Sequence, residues 1–253
     1  MIEIRNIEKA FGESKVLKGI STVFETGKTN LIIGQSGSGK TVLLKSLLGI
    51  HTPDAGTISF DGRIYSELNL SEKRELRTEI GMVFQGSALF DSMTVAENVG
   101  FPLKMFTDDT KSKIQKRVDF VLKRVNLVDA HHKLPSEISG GMQKRVAIAR
   151  AIVNNPKYLF CDEPNSGLDP NTAILIDNLI KEITEEYNIT TVINTHDMNS
   201  VMEIGENILF LKNGIKKWEG NKDAVFRTDN KDIVDFVYSS KLFQKVREAY
   251  LVG

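Results

Sequence analysis

Short apolar and alternating stretches mark the beginning of the chain. They run from Ile2 to Ile7, from Ser21 to Phe24 and from Thr57 to Phe60, and residues such as Gly, Asp and Asn separate them. This pattern is typical of antiparallel strands, and it predicts that Ile2, Ile4 and Ile7 face inward. The first quarter of the chain is therefore expected to contain an antiparallel β subdomain.

Apolar runs that predict further strands recur through the rest of the chain, and stretches with helical periodicity lie between them. The predicted strands are Thr29 to Ile33, Ile80 to Phe84, Tyr158 to Cys161, Thr190 to Asn194, Ile208 to Leu211 and Ile215 to Trp218. The last two flank Asn213-Gly214, which is a strong hairpin signal. The predicted helices include Val42 to Leu48, Gln143 to Val153 and Thr172 to Glu186. This alternation predicts an α/β fold with a mixed sheet flanked by helices.

Helical spacing dominates between Thr94 and Asn155, which predicts an inserted helical subdomain. Its apolar positions are three to four residues apart among many lysines and arginines: Val118, Val121, Leu122, Val125 and Leu127. After about residue 224 a second set keeps near-helical spacing: Ile233, Phe236, Val237, Phe243 and Val246. The tail is thus expected to form an amphipathic helix or a broken pair of helices, which packs on its own domain or docks on a partner.

Length and composition narrow the class of protein. At 253 residues the chain can form one large α/β domain or two closely packed subdomains. Lysine plus arginine equals aspartate plus glutamate at 33 each, so the global basic bias of a non-specific nucleic-acid binder is absent. No apolar run approaches bilayer-spanning length, and the stretch Met1 to Arg5 does not match a leader peptide. A cytosolic protein is expected, with the single cysteine, Cys161, as a core residue.

A glycine-rich loop between a predicted strand and a predicted helix carries the clearest chemistry. It reads Gly34, Gln35, Ser36, Gly37, Ser38, Gly39, Lys40, Thr41, with Val42 opening the helix. Backbone N–H groups in such a loop turn inward and form a site for phosphate. Lys40 is expected to reach the β- and γ-phosphates, and the Thr41 hydroxyl to bind Mg²⁺. The alternative is a glycine-rich turn that arose by chance. A chance turn would not need a strand before it and a helix after it, whereas a phosphate-binding loop does.

Polar residues follow three of the predicted strands at their carboxyl ends, where ligands bind in open α/β sheets. They are Gln85, the pair Asp162-Glu163, and His196. Asp162 can orient a magnesium ion and Glu163 can polarise water, as in P-loop NTPases, although a structural ion pair is also open. Gln85 is either a ligand of the metal or water or an ordinary strand terminus. His196 either binds a γ-phosphate or is structural.

Two further features leave alternatives open. Ser139, Gly140 and Gly141 precede a helix and predict an N-cap that can receive an anion. Lys144, Arg145 and Arg150 on that helix read equally as a solvated face or as a phosphate clamp. Phe11 reads as an aromatic that stacks on a nucleobase or as a core residue.

Taken in this order, the motifs resemble those of an ATP-binding-cassette (ABC) ATPase subunit over nearly the whole chain. The resemblance implies a P-loop NTPase core, ATP and Mg²⁺ as cofactors, and a homodimer in which each ATP lies between the loop of one subunit and Ser139, Gly140 and Gly141 of the other. It implies that Phe11 stacks on adenine, that Gln85 is the Q-loop residue and, with Thr41 and Asp162, a metal ligand. It also implies that Glu163 is the catalytic base, Asp169 the cross-dimer D-loop residue and His196 the switch histidine.

The resemblance further implies a division of the chain. Residues 1–86 and 157–224 would form the ATPase core, 87–156 the helical signature subdomain, and 225–253 a helical tail. The signature reads Ile138 to Met142 where many members have leucine and glutamine, and Asn165 stands where threonine is frequent. Neither difference removes a phosphate contact of Ser139 or the glycines.

Met142, the run Thr41 to Lys45 and the run Gly86 to Val99 are similar to Mla/Mkl-type ATPases. Those proteins energise lipid transport with permease subunits and MCE-domain proteins. The resemblance implies a peripheral subunit on the cytoplasmic face of the inner membrane, with no nucleic-acid partner. An ATPase for an amino-acid, metal or lipoprotein system is the alternative, and a soluble cassette of DNA repair or translation is a further one.

Overall fold

The computed structural model describes residues 1–239, 241, 243–245 and 247. The strands are β1 Ile2–Phe11, β2 Ser14–Phe24, β3 Thr29–Ile33, β4 Ala55–Phe60, β5 Arg63–Ile64, β6 Ile80–Val83, β7 Tyr158–Asp162, β8 Thr190–Thr195, β9 Asn207–Lys212 and β10 Ile215–Gly220. The helices are α1 Lys40–Leu47, α2 Leu70–Thr78, α3 Val95–Phe106, α4 Lys111–Arg124, α5 Gly140–Ile152, α6 Pro170–Glu186, α7 Met198–Ile204, α8 Lys222–Arg227 and α9 Lys231–Val237.

The chain divides into two compact units. One consists of Met1–Leu68 with the described part of Val192–Gly253, and the other of Asn69–Thr191. Mixed sheets and helices in this order confirm the predicted α/β fold class.

An antiparallel sheet in the first unit has the strand order β2-β1-β4-β5. Ile2, Ile4 and Ile7 are buried, as predicted. The predicted strands were too short, because β1 continues to Phe11 and β2 begins at Ser14. Phe11 and Ser14 pair across a two-residue turn, so cross-strand hydrogen bonds extend the ladder through polar positions that show no apolar pattern.

Strands β10, β9, β3 and β8 lie side by side in that order. β3 pairs with β9 in parallel, and Leu31, Ile32 and Ile33 are fully buried. Asn213 and Gly214 both have positive φ, 52° and 77°, between β9 and β10. The predicted hairpin is therefore confirmed, with the backbone signs that a type I′ turn requires.

Helices α8 and α9 are a broken pair, one of the two forms predicted for the tail. Phe236 of α9 stacks on Phe210 of β9 with ring centroids 5.1 Å apart. Asp232 pairs with Lys212 at 2.6 Å. These contacts confirm self-packing for α9. Val246 of the predicted apolar set lies outside the described residues.

In the second unit β6 and β7 pair in parallel, with Ile80 opposite Tyr158. Helices α3, α4 and α5 follow β6, so the stretch is helical as its spacing predicted. The apolar set from Val118 to Leu127 that carried this prediction is at most 5% exposed. Cys161 on β7 is fully buried, and burial raises the pKa of its thiol, as expected of a core residue. Among the described residues no helix has both the length and the apolarity to cross a bilayer.

Candidate functional site

The glycine-rich loop joins β3 to α1 and adopts a backbone that only glycine accommodates easily. Gly34, Gly37 and Gly39 have φ of 151°, 77° and 104°. A Cβ atom on Gly34 would lie 2.3 Å from the Leu211 carbonyl oxygen and 2.7 Å from the Ser38 hydroxyl. Glycine is therefore required at position 34 for two reasons: its positive φ and the close approach of β9.

The β9–β10 hairpin holds this loop from the other side. Gly214 donates its N–H to the Ser38 carbonyl at 3.1 Å, and its own carbonyl accepts from the Lys18 N–H at 2.9 Å. A Cβ atom on Gly214 would meet the Val16 carbonyl oxygen at 2.1 Å. Gly214 thus ties the loop to the hairpin and the hairpin to β2 through backbone hydrogen bonds.

Lys40 and Ser38 supply the polar groups of the loop. Lys40 is 7% exposed and its ammonium donates to the Gly34 carbonyl at 2.8 Å and to the Gln35 carbonyl at 3.2 Å. The Ser38 hydroxyl is buried and has no hydrogen-bond partner among the described residues. A buried hydroxyl without a partner is costly, and a phosphate oxygen would satisfy it. These residues therefore fit a bound phosphate group.

Three more predicted residues lie in the same unit. Thr41, in the first turn of α1, is exposed and accepts a 3.4 Å hydrogen bond from the Asn194 side-chain amide. His196 follows β8 directly and is exposed. Phe11 is 45% exposed, packs edge-on against His51 and lies under the Lys9 ammonium. The core alternative for Phe11 is therefore wrong.

In the second unit the predicted Gln85 and Glu163 are brought together. The Gln85 side-chain amide donates to a Glu163 carboxylate oxygen at 3.1 Å and to the Ser166 hydroxyl at 3.4 Å. Glu163 follows Asp162, the last residue of β7, and has a φ of 46°. Such a left-handed conformation is uncommon for a residue with a side chain, and such strain clusters at functional sites.

Two predicted polar residues cap helices. The Ser139 hydroxyl accepts the Met142 N–H at 3.3 Å at the start of α5, which begins at Gly140 and not at Gln143 as predicted. Glycine has low helix propensity, so the capping serine sets this start. Asp169 accepts both the N–H and the hydroxyl of Thr172 at the start of α6, and these bonds lower the pKa of its carboxyl group. Ser139 and Asp169 are both exposed.

Lys144 and Arg150 of α5 have a role that sequence reasoning missed. They are 5% and 9% exposed, so the solvated-face alternative is wrong for them. Lys144 donates to the Gln85 carbonyl, and Arg150 donates to the carbonyls of Ser87 and Ala88 at 2.7 Å each. The only signal in the sequence is that Lys144 and Arg150, together with Arg145, lie on a helix otherwise rich in alanine and isoleucine.

Asn98 of α3 was also missed. It is fully buried, accepts the Phe90 N–H at 2.8 Å and donates to the carbonyls of Phe90, Met93 and Thr94. One amide side chain thus organises the loop before α3. Phe84 and Phe90 are 43% and 41% exposed on that stretch.

The predicted residues fall into two groups, one in each unit. The loop with Val42, Phe11 and His196 belong to the first, and Gln85, Asp162, Glu163, Asp169 and the Ser139 turn to the second. Within the described ranges no cluster of three or more His, Cys, Asp or Glu side chains could hold a metal ion. Since such side chains are too few in any one place, a metal ion bound by the described residues would also need hydroxyl, amide or phosphate oxygens as ligands.

Comparison with known proteins places these features in one family. Residues 17–166 match the family model described as ABC transporter. The methionine import ATP-binding protein MetN of Clostridium acetobutylicum is 38% identical over 240 residues, which cover 95% of this chain and 75% of that protein. The probable ribonucleotide transport ATP-binding protein mkl of Mycobacterium leprae is 35% identical over 241 residues, covering 95% and 70%.

Solved structures agree with these relatives. The dimeric structure of MJ0796, a bacterial ABC transporter cassette, superposes with a TM-score of 0.79 at 34% identity and covers 88% of this chain and 99% of that one. A second dimeric structure of MJ0796, in a post-hydrolysis state with ADP and Pi, gives a TM-score of 0.78 at the same identity and coverage.

Proposed function

The chain belongs to the ABC transporter ATPases, and from this membership we propose that it is the ATP-hydrolysing subunit of a membrane transporter that moves lipid. The observation that carries the nucleotide part is the glycine-rich loop with its buried Lys40 ammonium and a buried Ser38 hydroxyl that bonds to none of the described residues. A loop of this shape, with inward backbone N–H groups, is complementary to phosphate.

We assign the nucleotide contacts to the loop and its neighbours. Backbone N–H groups from Gly34 to Thr41 and the N-terminus of α1 hold the phosphates, and Lys40 neutralises their charge. Phe11, which is 45% exposed, stacks on the adenine. His196 is the group that contacts the γ-phosphate.

Hydrolysis is assigned to the second group. Glu163 accepts a proton from the attacking water, and Gln85 orients that carboxylate through the hydrogen bond already present. Mg²⁺ would be held by Thr41, Gln85 and Asp162, since all three offer the oxygen ligands it prefers. When bound, the ion neutralises charge on the transferring phosphate.

A homodimer is proposed for the working state. Ser139, Gly140, Gly141 and Asp169 of one subunit would contact the nucleotide held by the other. Two observations support this: Ser139 and Asp169 are exposed at helix N-termini, and MJ0796 forms dimers. In the same proposal residues 1–86 with 157–224 form the ATPase core, 87–156 the signature subdomain and 225–253 the tail.

The lipid cargo rests on the run Gly86 to Val99 and on the similarity to mkl. We propose that this run, with exposed Phe90, meets a permease subunit and that an MCE-domain protein supplies the lipid. The protein would then lie peripherally on the cytoplasmic face of the inner membrane. The identity to MetN keeps an amino-acid importer as the second candidate.

Removing divalent metal tests the nucleotide chemistry. The purified chain is expected to release phosphate from ATP with Mg²⁺, to lose that activity in EDTA, and to regain it when Mg²⁺ is restored. Phosphate release measured by a coupled assay, with a no-protein blank, gives the rate. Equal hydrolysis with and without EDTA would contradict the assigned metal role.

The cargo is tested by reconstitution. The chain is co-expressed with each candidate permease pair, purified, and its ATPase rate measured in vesicles with added phospholipid and, separately, with added amino acids. Stimulation by phospholipid together with an MCE protein supports the proposal. Stimulation by methionine alone would favour the importer.

A further inference from the structure

We propose that Lys144 and Arg150 are positioning residues that fasten the segment from Gln85 to Ala88 to helix α5 and so keep the Gln85 side chain at Glu163. This segment is called the 85–88 segment below. The inference rests on the proposed role of Gln85 in hydrolysis and assigns two further residues to the same step.

Three backbone carbonyls of the 85–88 segment are bonded to α5. Lys144 donates to the Gln85 carbonyl, and Arg150 bridges the carbonyls of Ser87 and Ala88 with its two terminal nitrogens, each at 2.7 Å. A guanidinium that bonds two consecutive carbonyls fixes their relative orientation, which a single donor cannot do. The main chain on the carboxyl side of Gln85 is therefore held at three points.

The backbone needs such support because it is strained. Ser87 and Ala88 have φ of 62° and 46°, and neither is glycine. Two successive left-handed residues with side chains persist only where surrounding contacts over-determine them. The turn also has a main-chain hydrogen bond from the Ser87 N–H to the Phe84 carbonyl at 2.9 Å. Removing Arg150 is therefore expected to release the turn.

The side chains of Lys144 and Arg150 are buried and donate to backbone carbonyls of the 85–88 segment. Among the described residues no carboxylate contributes to the pKa shift of Lys144 or of Arg150. Burial lowers the pKa of both groups, which shows that their charges are held away from water. Buried charges must find hydrogen-bond acceptors, and here the acceptors are the carbonyls of the 85–88 segment.

Helix α5 carries both the Ser139 cap and the two cations that bond the 85–88 segment. α5 starts at the Ser139 cap and holds the 85–88 segment with residues further along, while Gln85 contacts Glu163. A displacement of the segment must therefore strain α5 or break these bonds. These bonds connect the 85–88 segment to α5, which begins at Ser139, and the Gln85 side chain connects the segment to the Glu163 carboxylate. All of these contacts lie within the second unit.

Arg150→Lys, Arg150→Met and Lys144→Met test the proposal, with Arg117→Lys as the matched control. Arg117 also donates to two consecutive carbonyls, those of Ile152 and Val153 at the other end of α5, and has no bond to the 85–88 segment. Arg117 lies on α4, so its substitution weakens a bidentate guanidinium contact to the carboxyl end of α5 without changing a residue of α5. Two quantities are measured on the full chain: kcat and KM for ATP, and amide hydrogen exchange of the peptide containing Ser87 and Phe90.

Arg150→Met is expected to lower kcat by roughly tenfold or more, as for loss of charge-assisted hydrogen bonds, with KM for ATP changed by less than about twofold. Exchange at the Ser87 amide should accelerate by a similar factor. Arg150→Lys, with one donor group, should fall between Arg150→Met and wild type, and Arg117→Lys should leave both quantities near wild type at equal thermal stability.

Unchanged exchange at Ser87 in Arg150→Met would overturn the fastening itself. Faster exchange with unchanged kcat would overturn the positioning role, and equal losses in Arg117→Lys would show a general effect of helix stability and overturn it as well. Absence of ATPase activity in the wild type would count against the proposed function, whereas the exchange measurement reads the fastening independently.

Discussion

Glu163→Gln is expected to lower kcat for ATP hydrolysis by about 10²- to 10⁴-fold, the range typical of a lost general base. The substitution keeps the shape of the side chain and an oxygen that can still accept the Gln85 amide at Glu163. What it removes is the negative charge that polarises water. Binding of ATP should remain, because the loop and Lys40 are untouched.

Single-turnover phosphate release and size-exclusion chromatography with ATP measure this prediction. The variant should accumulate as an ATP-bound dimer, while wild type returns to monomer as it hydrolyses. Ser166→Ala is the matched control, since it removes the second acceptor of the Gln85 amide without touching the carboxylate. Turnover in Glu163→Gln close to that of wild type would rule out the base role.

Lys40→Met is expected to weaken ATP binding by about 10- to 100-fold, corresponding to loss of charge-assisted hydrogen bonds to phosphate. Lys40 is nearly buried against the carbonyls of Gly34 and Gln35, and its charge lies inside the loop. Methionine matches the length of the aliphatic part and removes the ammonium. The fold should remain intact, because the loop is held mainly through its backbone.

Equilibrium binding of a fluorescent ATP analogue measures the dissociation constant. Lys45→Met is the control: it lies on the same helix, is exposed, and changes the net charge by the same amount. An equal loss of affinity in both variants would mean that the effect is one of overall charge. If Lys40→Met binds the ATP analogue as tightly as wild type, the phosphates of ATP do not bind at Lys40.

Local sequence predicts features whose cause is local. Some features need a particular backbone conformation that only a few residue types favour, so the residue type predicts them. They are the turn at Asn213-Gly214, the cap at Ser139 and the glycines of the phosphate-binding loop. The polar residues after strands, Gln85 and Glu163, could be placed because strand ends are a known position for ligands. Their mutual hydrogen bond follows from parallel pairing of β6 with β7.

Features whose cause is remote could not be predicted. Lys144 and Arg150 bond carbonyls that lie 59 to 63 residues earlier, and backbone acceptors leave no trace in sequence. Asn98 likewise satisfies main-chain groups of a loop, which any sequence could supply. The early strands were drawn too short because hydrogen bonding to a neighbour, and not side-chain pattern, carries β1 as far as Phe11.

The contact between Gly214 and Ser38 has a consequence for synthesis of the chain. The phosphate-binding loop is translated early, yet the N–H that fixes its Ser38 carbonyl belongs to a hairpin made much later. A ribosome-bound chain that stops before Gly214 therefore has the glycines of the loop without their support. Competence to bind nucleotide should arise only when β9 and β10 have left the exit tunnel, so a half-made subunit is kept from engaging ATP.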